Sequence, residues 1–312
     1  MTQSKGQGRI SRRGFLIGAA AAAAGAGGLA YGVLQATRGG AQRQEVPEVV
    51  ARRIAQPVPA TDPLSSLWGK AEEVEVALTG QMVIMPFRRE PAVASIRVRA
   101  LHDGSQIAFR LHWPDDSHDQ LSIRITDFRD ACAVFLGPYP APESLWFMGT
   151  KEAPVTIMQW RADWQKDMDE GFQDLEVAFP NVTFEYYPPL AKGPWPPKPQ
   201  DYPAGARIWL PGWAVGNPLS QPEKATPVQK LMGIGPGTLE PFPTQNAVGK
   251  GVWQDGRWLV AIGRPLTAAD DGEIPLSPGK MYSLAFALWM GSAKDRGARK
   301  SITQLGRLTL EA

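Results

Sequence analysis

The 312-residue chain contains one cysteine, Cys132, and three histidines, His102, His112 and His118. A lone thiol excludes an intrachain disulfide framework and any cluster built on several thiolates. Three histidines argue against a multi-histidine metal centre, and the absence of C-x-x-C-H excludes a covalently attached c-type haem. No G-x-S-x-G elbow or other nucleophile signature is present, and nothing in the chain reads as an active site. Acid is missing altogether from residues 1–44, which hold six of the 33 basic residues and leave 27 against 31 acids in the rest. The basic balance therefore belongs to the leader. A nucleic-acid partner, which needs a basic face against phosphates, is disfavoured. With 43% hydrophobic and 21% charged residues, the remainder can form one large domain or two small ones.

The leader carries Ser11-Arg12-Arg13-Gly14-Phe15-Leu16, a twin-arginine export motif, followed by no charge at all over residues 14–37. Residues 1–44 are thus expected to be a twin-arginine signal or an N-terminal anchor. The uncharged run is long enough to span a bilayer if it stays uncut. A periplasmic location follows, with a membrane anchor as the variant. Residues 45–66 are polar and punctuated by proline, which predicts a linker.

From there the dominant period is two. Ile96 and Val98 alternate with Arg97 and Arg99, and Ile107, Phe109, Leu111 and Trp113 resume the pattern after His102-Asp103-Gly104-Ser105. Two alternating runs around Asp-Gly predict a hairpin, and Asp255-Gly256 repeats the device between Val252-Trp253 and Trp258-Leu259-Val260. No long segment carries a helical stripe, although residues 162–175 suit a short helix. The expected fold is mainly β, an antiparallel β-sandwich over residues 67–312 with a few short helices and a proline-rich insertion. Eleven of the 29 prolines fall within residues 188–227, marking an excursion over about 188–245 in which regular ladders are blocked.

Two local constellations yield bland readings. Gly233-Ile234-Gly235-Pro236-Gly237-Thr238 lacks a following helix N-terminus, so it reads as a turn and not a phosphate cradle. Asp115-Asp116-Ser117-His118-Asp119 offers carboxylates to a hard cation, but a solvated loop is the stronger expectation.

The segment from Asp130 to Trp164 is more specific. It reads Asp130-Ala131-Cys132-Ala133-Val134, then Phe147-Met148-Gly149, then Trp160-Arg161-Ala162-Asp163. Later blocks follow in order: Gly249-Lys250-Gly251-Val252-Trp253, Arg264-Pro265-Leu266, Phe286-Ala287-Leu288-Trp289-Met290-Gly291, and Arg299-Lys300-Ser301-Ile302. Together they resemble the haem b-binding gamma subunits of the ethylbenzene dehydrogenase type, which accompany periplasmic molybdenum enzymes of the dimethyl sulfoxide reductase superfamily. The resemblance covers most of residues 70–312.

That resemblance implies an electron-transfer subunit without catalytic residues of its own. It would work between an iron–sulfur beta subunit with a molybdenum catalytic subunit and a cytochrome c or quinone-linked acceptor. It implies haem b with axial iron ligands at Met148, from the F-M-G step, and Lys300, from the K-S step. Trp146, Trp160 and Trp289 are candidates for pocket lining because they stand in or beside the matched blocks. Lys294, Lys250 and His112 are the competing ligand positions. The reading from a different class is a haem-free β-sandwich ligand- or carbohydrate-binding module, for which the chain's 11 tryptophans would supply stacking platforms.

Overall fold

The computed structural model describes residues 47–182, 205, 208, 210–217, 220–221 and 223–312. The leader, Trp195, Trp209 and most of the 188–227 stretch lie outside these residues. Among the described residues no helix is long and apolar enough to cross a membrane.

Among the described residues, thirteen strands carry the fold. They are β1 (Glu48–Arg53), β2 (Val74–Gly80), β3 (Ser95–His102), β4 (Gln106–Pro114), β5 (Ala131–Gly137) and β6 (Val155–Arg161), then β7 (Val228–Gly233), β8 (Glu240–Pro241) and β9 (Val248–Gln254). The last four are β10 (Arg257–Pro265), β11 (Met281–Trp289), β12 (Ser301–Thr303) and β13 (Gly306–Leu310). One helix, α1 (Ala162–Glu170), leaves β6 where the sequence predicts it. The hydrogen-bonded order is β8-β7-β6-β5-β11-β12-β2-β3-β4-β10-β9. This path folds over into two layers, because β11 pairs with β13 along its first half and with β12 along its second. Strand β3 likewise passes from β2 to β1. The two layers are therefore stitched through β12–β2 and through β13–β1.

Both Asp-Gly hairpins form. Gln254 pairs with Arg257, and Asp255 and Gly256 take φ of 51° and 69°, the two positive values that a type I′ turn requires. Alternation then sorts the side chains. Phe109, Leu111, Trp113, Val134, Trp160, Trp258, Val260 and Phe286 meet between the layers as the main core.

The expected linker over 45–66 is corrected by β1, which runs parallel to both β13 and β3 with Val49 and Ala51 buried. Past β1, Ile54, Val58 and Ala60 join Trp68 in covering the outer face of the second layer at Leu101, Ala108 and Ala261. Proline is tolerated there because the segment lies across a sheet face and owes no ladder donors. The C-terminal limit of the proline-rich excursion is also corrected, since Val228–Gly233 is a ladder strand against β6.

An ionic clamp crosses the core. Lys230 on β7 and Arg264 on β10 belong to different layers, and both bind Glu273, at 2.6 and 3.0 Å. All three side chains are fully withdrawn from water. Asn246 accepts a further hydrogen bond from Lys230 at 2.8 Å.

Candidate functional site

Met148 ends a 3-10 turn, Glu143–Phe147, in left-handed backbone with φ 65° and ψ 34°. A methionine there is uncommon and must be held by its surroundings. Its N–H donates to the Leu145 carbonyl and its carbonyl accepts from Gly235 N–H, both at 3.1 Å. Gly149 follows at φ 86°. A Cβ at that position would stand 2.7 Å from the Ala153 carbonyl oxygen and 3.0 Å from that of Gly233. The glycine-rich stretch after β7 is thus a turn, as its sequence indicates, and its role is to buttress Met148. The half-buried methionine packs against the cluster that Ala131, Ala133, Leu145, Val155, Ile157, Leu231 and Trp289 form together on the outer face of the first layer.

Lys300 stands on that same face. It precedes β12, where Ser301 points inward and is buried, so the lysine is directed outward beside Trp289. Its Nζ lies 5.0 Å from the centre of the Trp289 ring. Among the described residues no carboxylate pairs with it. Burial alone pushes its amine down to about 8.

The segment carrying Lys300 is fixed from several sides. Trp289 Nε1 donates to the Gly297 carbonyl at 2.9 Å. Asp295 accepts from Met290 N–H and pairs with Arg88 at 2.6 Å. Asp130, at the start of β5, accepts from the N–H groups of Gly291 and Asp119 and from Trp258 Nε1. Burial pushes the Asp130 carboxyl up to about 8, with the Asp115 charge adding to it, and burial with the nearby Asp119 charge raises Asp115. The 115–119 stretch is a loop with Asp116 and His118 exposed, as its sequence indicates, and only its first residue, Asp115, is buried, at 2% exposure. Among the described residues no group of three or more His, Cys, Asp or Glu side chains is placed to hold a metal ion.

On this face the facing residues of β5 and β11 are mostly small. Ala131 pairs with Trp289, Ala133 with Ala287 and Phe135 with Ala285. By the two-residue period these side chains all face outward. Although β5 and β11 are central strands, Phe135, Ala285 and Ala287 stay half-exposed there. The chain itself leaves this alanine floor only partly covered. A soft thioether and an uncompensated amine beside one apolar, mostly small-sided face suit an apolar ligand whose metal accepts neutral donors.

The sequence-predicted positions divide cleanly. Met148, Trp289 and Lys300 share this face, and Trp146 stands 51% exposed two residues before Met148. Trp160 does not join them. Its neighbours on β6 set it inward, where it is fully buried, meets Trp258 edge-on at 4.9 Å and donates to Gln165. His112 opens instead onto a separate polar hollow with Glu75, Arg97 and Arg257. Lys294 and Lys250 are exposed to solvent. Sequence reasoning missed Gln81, Arg88 and Asp295, which anchor the lysine segment. The one available signal was the alternate-position alanines in Ala131-Cys132-Ala133 and Ala285-Phe286-Ala287, which mark a small-sided sheet face.

A family model described as ethylbenzene dehydrogenase matches residues 65–301. A protein of Haloferax mediterranei named a respiratory nitrate reductase heme subunit is 21% identical over 267 residues, covering 83% of this chain and 74% of that protein. Among solved structures, a family 9 carbohydrate-binding module from Caldicellulosiruptor kristjanssonii in complex with glucose aligns over 85% of this chain and 96% of its own, at 7% identity and a TM-score of 0.39. The same module with cellotriose gives a TM-score of 0.41.

Proposed function

The chain belongs to the ethylbenzene dehydrogenase family, and from that premise we propose that it is an electron-transfer subunit holding haem b between Met148 and Lys300. The observation that carries this reading is the partly uncovered alanine floor with both donors beside it. Haem bound there would supply one-electron exchange at its iron. Met148 offers a neutral thioether, which favours the ferrous state. Lys300 ligates only as the free amine, and its burial brings that form within reach near neutral pH. With haem bound, two neutral donors would leave the ferric charge uncompensated on an apolar surface and would raise the potential. Trp289 shields the lysine stem and supplies the ring face that steadies its charge when no metal is present.

The haem-subunit naming of the Haloferax relative supports the same reading, and with it membership of a reductase complex. The iron–sulfur and molybdenum partners, the cytochrome c or quinone-linked acceptor, and export to the periplasm on the twin-arginine motif complete the proposal. The carbohydrate-binding alternative would rely on tryptophan platforms, yet Trp68, Trp113, Trp160 and Trp258 are fully buried. Replacing Met148 with Ala tests the ligand assignment. The haem-loaded variant is expected to lose its low-spin spectrum and to retain haem less firmly. An unchanged spectrum would remove Met148 from the site.

A further inference from the structure

Residues 81–88 form a loop whose base and tip have opposite characters. At the base, Arg88 N–H donates to the Gln81 carbonyl at 2.8 Å, and the Gln81 side chain accepts from Val83 and Ile84 N–H. Gln81 and Arg88 are both nearly buried. A Cβ on Gly80 would stand 2.1 Å from the Arg88 carbonyl oxygen, so the two ends of the loop close tightly. The base is also tied to the lysine segment. Gln81 N–H donates to the Lys300 carbonyl, Gln81 Nε2 to the Ala298 carbonyl at 2.7 Å, and Arg299 to the Phe87 carbonyl.

The tip is apolar and turned to solvent. Met82, Val83, Ile84, Met85 and Phe87 are 51, 56, 37, 74 and 40% exposed. Beside the other proposed ligand, Trp146 and Phe147 are 51 and 49% exposed. A rigid polar base that holds five large apolar side chains in water is costly unless something covers them.

We propose that residues 82–87 and the Trp146-Phe147 pair are the two apolar lips of the haem slot, closing on the macrocycle from the Lys300 side and the Met148 side. This rests on the haem reading above. The macrocycle is favoured over a protein partner because the loop is hydrogen-bonded to the backbone of Lys300 itself, and the second apolar pair is continuous with Met148. Each lip is therefore joined to the segment of one ligand. The segment 82–87 carries no charge, which suits a porphyrin face.

The test is haem transfer from the full-length loaded protein to excess apomyoglobin. Wild type is compared with Val83→Ser/Met85→Ser/Phe87→Ser and, separately, with Met85→Ser alone and Phe147→Ser. Because these side chains are exposed, the fold and the low-spin spectrum are expected to persist. Haem loss should quicken by about tenfold or more in the triple variant, with smaller increases in the single ones. Loss rates within twofold of wild type in all three variants would overturn the proposal while leaving the haem reading intact. Unchanged haem loss with weakened binding to the reductase subunits would also overturn it and reassign the lips as a docking surface. A wild-type protein that takes up no haem would overturn both.

Discussion

Replacing Lys300 with Leu is expected to move haem binding and stability in opposite directions. The substitution keeps an apolar stem on Trp289 and removes the amine, so the loaded protein should lose one axial ligand and pass from a low-spin to a high-spin spectrum. The haem-free protein should become more stable at pH 7. Its native state holds an amine that burial pushes down to about 8, whereas the unfolded chain keeps the ordinary lysine value of about 10.4. Below pH 8 both states are protonated, and the folded one carries the full cost of a partly buried charge without a carboxylate. Between pH 8 and about 10.4 the unfolded state binds more protons, so wild-type stability rises with pH and the cost fades. Leucine should therefore add roughly 1–3 kcal/mol near pH 7 and progressively less toward pH 10.5. Urea unfolding of the two haem-free proteins across pH 6.5–10.5 checks the sign. A leucine variant less stable than wild type at every pH would mean that the amine is already compensated, and the ligand role would lose its physical basis.

Glu273→Gln should produce the largest loss of stability. The carboxylate is the shared partner of Lys230 and Arg264, and its removal leaves two fully buried cations with only Asp270, 3.6 Å from the lysine, for compensation. Breaking a buried pair in this way costs about 3–5 kcal/mol. For a domain of this size that corresponds to a fall in Tm of roughly 10 °C. Since the clamp joins β7 of one layer to β10 of the other, both layers should unfold in one transition. Replacing all three members together, as Lys230→Met/Arg264→Met/Glu273→Leu, should recover most of the loss, because apolar residues of similar size remove the desolvation cost with the charges. A single Glu273→Gln variant of wild-type stability would show that water reaches the clamp.

Much of the architecture was legible because period two and Asp-Gly turns are local signals. Phe109 and Leu111 alternate inward with no knowledge of their partners, and Asp255-Gly256 sets its turn through its own backbone preferences. Strand β1 was not legible. Its pairing with β13 joins Glu48 to Arg307 across nearly the whole chain, and proline-rich flanks hid the buried Val49 and Ala51. The burial of Lys230 was not legible for the same reason. A lysine in an apolar run reads as exposed unless its acid, 43 residues later, is placed beside it. For the site, the family resemblance singled out Met148 and Lys300, and neither residue distinguishes itself by composition or spacing. Trp160 was grouped with them by proximity in the chain, but a strand sends adjacent side chains to opposite faces. Being near the right motif did not put it on the right surface.

The most direct measurement is the absorption spectrum of the purified haem-loaded protein, oxidised and then reduced with dithionite. A haem held by Met148 and Lys300 should give a sharp low-spin b-type spectrum on reduction, present in wild type and lost in both Met148→Ala and Lys300→Leu. A folded β protein that takes up no haem, or a low-spin spectrum that survives both substitutions, would contradict the account.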